Sequence, residues 1–210
     1  AFTHAEHEQI VPQYGWSEQR PADWWNGTVA TIRAILGKVP GAADRIAAIC
    51  GCGQMHGAVL VDAAGNPTRE AALLWNDTRS AGAAEELTCE RGDGDRERGA
   101  RWWAQATGLV PVASFTVTKL RWLADNEPEN ARKIAAICLP HDWLSWKIRG
   151  GFETVGLAGL CTDRSDASGT GYMDRADAVY RREILAQALR ISLEEAEGII
   201  LPKICEPVEA

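Results

Sequence analysis

Gln54, Met55 and His56 stand between Gly53 and Gly57, just after an apolar run, and place an amide, a thioether and an imidazole where backbone can approach a ligand closely. Gln54 and His56 can each donate and accept hydrogen bonds, which suits hydroxyl groups that also do both. Ligands of α/β sheets bind at strand ends. On these residues alone, a hydroxyl-rich ligand and a plain strand turn with His56 at the surface are equally good readings. A second segment, Trp75-Asn76-Asp77-Thr78-Arg79, follows the apolar run 71–74. Tryptophan can cover the apolar face of a sugar, Asp77 can accept from hydroxyls, and Arg79 offers a rigid fork of donors. Asp77 and Arg79 can equally form an ion pair at a helix start, and taken alone the local sequence favours that pair. A third stretch, Thr162 to Gly171, concentrates hydroxyls and carboxylates, which serves a polar ligand or, as its composition favours, a self-bonded turn. His141 and Asp142 open a predicted helix, where Asp142 is better placed to meet free backbone amides and the helix dipole than to catalyse.

Other chemistries are missing. The chain has no Gly-x-x-x-x-Gly-Lys-Ser/Thr phosphate loop, no complete Gly-x-Gly-x-x-Gly after a strand and no Gly-x-Ser-x-Gly elbow, so it offers no self-contained nucleotide site of those classes. Cys50 and Cys52 would share one face of a strand, but no second Cys/His pair stands at finger-like spacing to complete a zinc site. The 6 cysteines are dispersed and are expected to be reduced, mostly within the core.

These segments need a frame of strands and helices. Apolar residues recur at Trp25, Val29, Ile32, Ile35 and Leu36 behind Pro21, the pattern of an amphipathic helix opened by a first-turn proline and closed by Gly37 and Pro40. Ile46 to Cys50 and Gly57 to Asp62 read as two buried strands flanking the Gln54–His56 segment, the second closed by Gly65-Asn66-Pro67. Ser80 is a predicted N-cap for a helix from Ala81 to Cys89, which gives way to a charged loop from Glu90 to Gly99. Helices are predicted over Trp102 to Thr107 and Thr118 to Asn126, with a short one from Pro128. A strand follows from Ala135 to Leu139, then a helix from Pro140 to Lys147. A loop from Gly150 to Gly171 precedes a last helix from Ala178 to Leu189, and residues 201–210 read as a loop heading toward another element. Alternating strands and helices predict an α/β domain with a mixed β-sheet flanked by helices.

A chain of 210 residues, 46% hydrophobic and 24% charged, can bury a sizeable core. Net charge is −7 and the basic residues are scattered, which argues against a nucleic-acid partner. The longest apolar stretches fall far short of the ~20 residues a membrane span needs, and no charged-then-apolar leader opens the chain. A soluble, cytoplasmic protein is expected. Ala1 in place of Met, and the trailing loop, suggest a chain cut at both ends.

Taken together and in order, Gln54-Met55-His56-Gly57, Leu74 to Arg79, Thr118-Lys119-Leu120, Glu127-Pro128-Glu129, Leu139 to Leu144 and Thr162 to Thr170 resemble the xylulokinases of the FGGY carbohydrate kinase family. Tyr14 to Gln19, with Pro21, Trp24 and Trp25, resembles an early segment of the same family, so the likeness runs from about Tyr14 to Pro207. The resemblance implies an N-terminal domain of the ribonuclease H-like, actin-like ATPase fold, spanning 1–210 but lacking its first strands, packed against a C-terminal domain that lies beyond Ala210. It implies that Met55 and His56 contact the sugar, that Gln54, Trp75, Asp77 and Arg79 line the same pocket, and that Asp166 helps form the cleft. It implies an ATP-dependent transfer of phosphate to D-xylulose with Mg2+ in the complete enzyme, the general-base aspartate lying in the missing C-terminal domain. This chain alone is then expected to be inactive and to hold no ATP or Mg2+ by itself. Exposed sheet edges would favour self-association, a homodimer among the expected assemblies. Two alternatives stay open: a non-catalytic sugar-binding or regulatory module, and a kinase of the same family for another ketose or polyol such as ribulose, gluconate or glycerol.

Overall fold

The computed structural model describes residues 1–206. An extended arm leads to β1 (Glu18–Gln19), and Pro21 then opens α1 (Pro21–Lys38), where its missing N–H would have had no helical partner anyway. β2 (Val59–Val61) and β3 (Ala72–Leu73) follow, then α2 (Ala81–Glu90), α3 (Arg96–Thr107), α4 (Thr116–Asn126) and α5 (Pro128–Ala131). Next come β4 (Ala136–Cys138), α6 (Pro140–Ile148), α7 (Gly151–Val155), β5 (Cys161–Asp163) and α8 (Arg164–Ser168). β6 (Met173–Asp174), β7 (Val179–Tyr180), α9 (Arg182–Leu189), α10 (Leu193–Gly198) and β8 (Lys203–Cys205) complete the described chain.

Among the described residues the strands form four two-stranded pairs, three of which isolated bridges chain together in a mixed arrangement. β1 pairs antiparallel with β3, β3 meets β2 at the antiparallel bridge of Ala58 and Leu73, and β2 pairs antiparallel with β4. β4 then meets Ile200 in parallel, and β8, a few residues on, runs parallel to β5. β6 and β7 form a separate antiparallel pair. Strand periodicity divides the core in two. Ala58, Leu60 and Ile137 pack on one face with Leu87, Trp103, Leu120 and Ile184 from α2, α3, α4 and α9. Val59, Val61, Ala136 and Cys138 pack on the other with Trp24 of α1 and Trp143 and Trp146 of α6. Full burial of a side chain such as Leu120 contributes about 1.5–3 kcal/mol. Arg121 is buried as well, because its guanidinium donates to both Glu90 oxygens at 2.6 and 2.8 Å and to the carbonyls of Gln187 and Ala188, tying α2, α4 and α9 together.

The sequence expectations fail at four places. Ile46 to Cys50 is no strand: the stretch is exposed, because no neighbouring strand pairs with it among the described residues and an extended apolar run without a ladder partner stays a coil. Glu90 to Gly99 is a loop only over 91–95, since α2 runs through Glu90 and residues 96–99 are already helical. α3 starts at Arg96 because Asp95 accepts a capping hydrogen bond from the Arg98 N–H. The stretch from Gly150 to Gly171 holds α7, a 3-10 turn at Leu157–Gly159, β5 and α8, elements too short for periodicity to reveal. The last predicted helix begins at Arg182 behind β7, and α10 and β8 fall outside the predicted elements. Residues 207–210 of the predicted C-terminal loop lie outside the described residues. Ser80 does stand at the N-cap of α2, although its hydroxyl bonds Ala113 O and Thr118 rather than a helix amide. Of the cysteines only Cys138 is buried, Cys50 and Cys52 being exposed, because the strand meant to bury them does not form.

Candidate functional site

Strand direction gathers every segment singled out above at one end of the sheet. β2 and β3 are antiparallel, so the residues before Ala58 and those after Leu73 emerge together. β2 and β4 are antiparallel, so Gly57 faces Pro140, whose ring would lie 2.7 Å from a Cβ built on Gly57. β5 is parallel to β8, which continues the segment parallel to β4, so Asp163 and the residues after it leave at the same end. Sheet topology thus brings 54–57, 74–79, 139–142 and 163–170 to one rim.

His56 occupies the left-handed region at φ 61, a conformation that costs a residue with a Cβ about 1 kcal/mol or more. Surrounding contacts hold it there: Gly57 N–H donates to Met55 O at 2.7 Å, and the Thr116 hydroxyl donates to His56 O at 3.1 Å. The Phe115 ring meets the imidazole edge-on at 5.0 Å, and Gly169 lets the backbone pass close behind, since a Cβ there would lie 2.3 Å from Nε2. Among the described residues neither nitrogen of this half-buried ring has a hydrogen-bond partner. Burial, with the charge of Lys119 adding, holds His56 below the usual histidine value, so at neutral pH it is an imidazole with one donor and one acceptor. Met55 beside it is exposed. The Gln54 side-chain amide donates to Gln19 Oε1 at 2.8 Å, which fixes its orientation, and it lines a cavity of about 280 Å³ with Trp24, Thr28, Pro140 and Leu144.

The other predicted site residues divide. Trp75 leaves the end of β3 with an exposed ring. Asp77 and Arg79 sit behind the rim, their side chains 0% and 1% exposed. Arg79 donates to Asp77 at 2.7 to 3.0 Å, pairs with Glu18 at 2.6 Å, and lies between the rings of Trp16, 3.5 Å from its centroid, and Trp122 at 4.9 Å. Asp77 also accepts from the Ser17 N–H at 2.7 Å. In this structure the pair is an internal brace for the turn that carries Trp75.

Two features lay beyond the sequence reading. Lys119, on an otherwise apolar face of α4 beside Val117 and Leu120, is buried with its ammonium on the carbonyls of Ala113, Ser114 and Phe115, which orders the turn presenting Phe115 to His56. Burial pulls it down to about 7, Asp77 opposing and Arg79 adding. A lysine inside an apolar period was the available signal. Second, His141 lies among carboxylates: Nε2 is 3.0 Å from Asp142, 3.4 Å from Asp166 and 3.5 Å from Asp163. Burial pulls its imidazole down, but Asp142, Asp166 and Asp163 outweigh that and hold it above the usual value. Asp142 also accepts from the Leu139 N–H at 2.8 Å, the role expected of it at the start of α6.

The fold is a sheet covered on both faces by helices, with an imidazole, an amide, a thioether and a tryptophan at the rim of strand ends, the place where α/β domains bind small polar molecules. Residues 1–209 match the N-terminal domain of the FGGY family of carbohydrate kinases, and the chain belongs to that family. Its fold is therefore the ribonuclease H-like, actin-like ATPase fold. A xylulose kinase of Streptomyces coelicolor is 42% identical over 192 residues, 91% of this chain but 35% of that protein. A glycerol kinase of Paenarthrobacter aurescens is 34% identical over 86% of the chain and 34% of its own length. The crystal structure of xylulose kinase from Bifidobacterium adolescentis superposes with a TM-score of 0.81 at 40% identity, covering 97% of this chain and 41% of that one. The chain thus spans about a third of the length of these curated relatives.

Proposed function

We propose that this chain supplies the sugar-binding side of the cleft in an ATP-dependent kinase that converts D-xylulose to D-xylulose 5-phosphate. The observation that carries this reading is the strained, neutral His56 held at the rim between Phe115 and Gly169, its ring nitrogens unpartnered among the described residues and Met55 and Gln54 beside it. An imidazole with one donor and one acceptor matches a sugar hydroxyl, which is both, and the exposed Met55 and Trp75 offer apolar surface to the carbon skeleton. Asp77 and Arg79 act by bracing the Trp75 turn rather than by reaching the sugar.

The residues present do not fit ATP or Mg2+. At this rim the Lys119 ammonium is committed to carbonyls and Arg79 to carboxylates, leaving neither for a triphosphate, and the His141 cluster includes an imidazole where Mg2+ demands oxygen ligands. Phosphoryl transfer, with its nucleotide, metal and general base, then belongs to a second domain, and the chain by itself is expected to bind sugar without turning it over. We further place the protein in the cytoplasm, with the ATP that such a kinase consumes. Separately, no helix among the described residues is long and apolar enough to cross a membrane. Exposed Ile46 and Ile49 on an unpaired segment favour self-association, with a homodimer as its simplest form.

Calorimetric titration with D-xylulose, against D-ribulose and glycerol, tests the reading. Saturable binding that favours xylulose and is lost in His56→Ala is expected. Equal affinity for all three, or binding indifferent to His56→Ala, would overturn it.

A further inference from the structure

The His141 cluster carries more negative charge than a buried imidazole needs. Nε2 of His141 and carboxylate oxygens of Asp163 and Asp166 all lie within 4.8 Å of one another, drawn from the start of α6, the end of β5 and the first turn of α8. A hydrogen bond between imidazolium and carboxylate spans about 2.7–2.9 Å, whereas Asp166 and Asp163 stand 3.4 and 3.5 Å from Nε2. Two ligands of a tetrahedral zinc ion, with metal–nitrogen and metal–oxygen bonds of about 2.0–2.2 Å, lie roughly 3.3 Å apart. The two nitrogen–oxygen spacings are those of ligands sharing an ion.

A second observation concerns buried polar atoms left without a hydrogen bond. The His141 residue is 7% exposed, yet neither of its ring nitrogens has an aligned hydrogen-bond partner, and Oδ1 of Asp142, a residue 1% exposed, is equally without one. Nε2 and that Oδ1 lie 3.0 Å apart as an ion pair, but neither atom makes an aligned hydrogen bond. The other Asp142 oxygen is fixed by the Leu139 N–H and Asp163 Oδ1 by the Asp166 N–H at 2.9 Å, so helix starts hold the carboxylates in place before any ion arrives.

We propose that His141, Asp163 and Asp166 bind one divalent transition-metal ion, zinc foremost, with Asp142 adding charge beside the imidazole. One nitrogen and two carboxylates suit zinc, leave a fourth position for water, and disfavour Mg2+ and Ca2+, which take oxygen alone. The ion clips α6 to the β5–α8 junction and so stiffens the segment whose Gly169 backs His56. This inference uses residues apart from the sugar-contacting trio, and its test contains no sugar.

The chain would be stripped with a chelator, dialysed against Zn2+, Mg2+ or Co2+, and its bound metal counted. One zinc per chain is expected, with a rise in thermal midpoint of roughly 5–10 °C at a hundredfold excess over Kd. Mg2+ at the same concentration should not bind, and the Co2+ form should lack a thiolate-to-cobalt band, which rules out capture by the exposed Cys50 and Cys52. Asp163→Asn and Asp166→Asn should each weaken zinc at least about tenfold. Asp163 is half exposed and asparagine keeps an oxygen for the helix cap, so that variant should fold. No zinc on the folded chain, a thiolate band, or affinity unchanged in both variants would overturn the proposal and leave His141 an imidazolium among carboxylates.

Discussion

Replacing Arg79 with methionine separates a brace from a ligand. Methionine keeps an unbranched apolar stem against Trp16 and removes the charge. The loss falls on Asp77 and Glu18, whose side chains are 0% and 9% exposed and lie 2.7 and 2.6 Å from the guanidinium. Removing one partner of a buried ion pair costs about 3–5 kcal/mol. Asp77 retains the backbone N–H groups of Ser17 and residue 79, and Glu18 retains Arg69 at 3.1 Å, so neither carboxylate is stranded. The cost should therefore sit near the lower bound, about 3 kcal/mol, or roughly 6–12 °C in Tm for a chain of this size. Urea unfolding of the wild type, Arg79→Met, Asp77→Asn and the double variant measures it. The double variant should lose clearly less than the sum of the singles, because each single change leaves the other charge buried. Sugar affinity should fall only modestly wherever the chain remains folded. A stability loss under about 1 kcal/mol, or abolished sugar binding at unchanged stability, would refute the brace and put Arg79 in the pocket.

Other consequences can be checked separately. Gly169→Ala should weaken xylulose binding about tenfold with Tm almost unchanged, since the added Cβ would meet only the tip of His56 while residue 169 has no backbone strain; unchanged affinity in a titration would remove His56 from the site. Glu90, held at about 2 by Arg121, has a folded pKa below its unfolded value. It thus stabilises the fold above about pH 4.3 and loses that contribution as pH falls toward 2, modestly because the side chain is partly exposed; acid titrations of Glu90→Gln should lack this component. Lys119, pulled down to about 7, is charged in the unfolded chain up to about pH 10.4, so its burial penalty should ease as pH rises from 7 toward 10. Lys119→Met should be less pH-dependent than the wild type across that window in denaturant melts, and parallel curves would sink the assignment.

Local chemistry alone placed several elements. Pro21, Pro128 and Pro140 each open a helix, because a first-turn proline lacks only an N–H that has no helical partner. The apolar run at Val59 to Val61 and the Gln54-Met55-His56 segment were legible for the same reason: residue type and spacing carried them. Pairing was not legible. Ile46 to Cys50 is as apolar as Ala136 to Cys138, yet only the second became a strand, since a strand requires a neighbour's ladder and no residue encodes that neighbour locally. Nor could sequence choose between ligand and brace for Asp77 and Arg79. The contacts that favour a brace come from Trp16, Ser17 and Glu18, about 60 positions earlier, which close over them. Likewise His141 meets Asp163 and Asp166 only because β5 emerges at the same rim as β4. The sequence by itself determined which residues can do chemistry, through their types and near neighbours; the tertiary structure decided which of them meet, because burial and strand direction depend on parts of the chain far away.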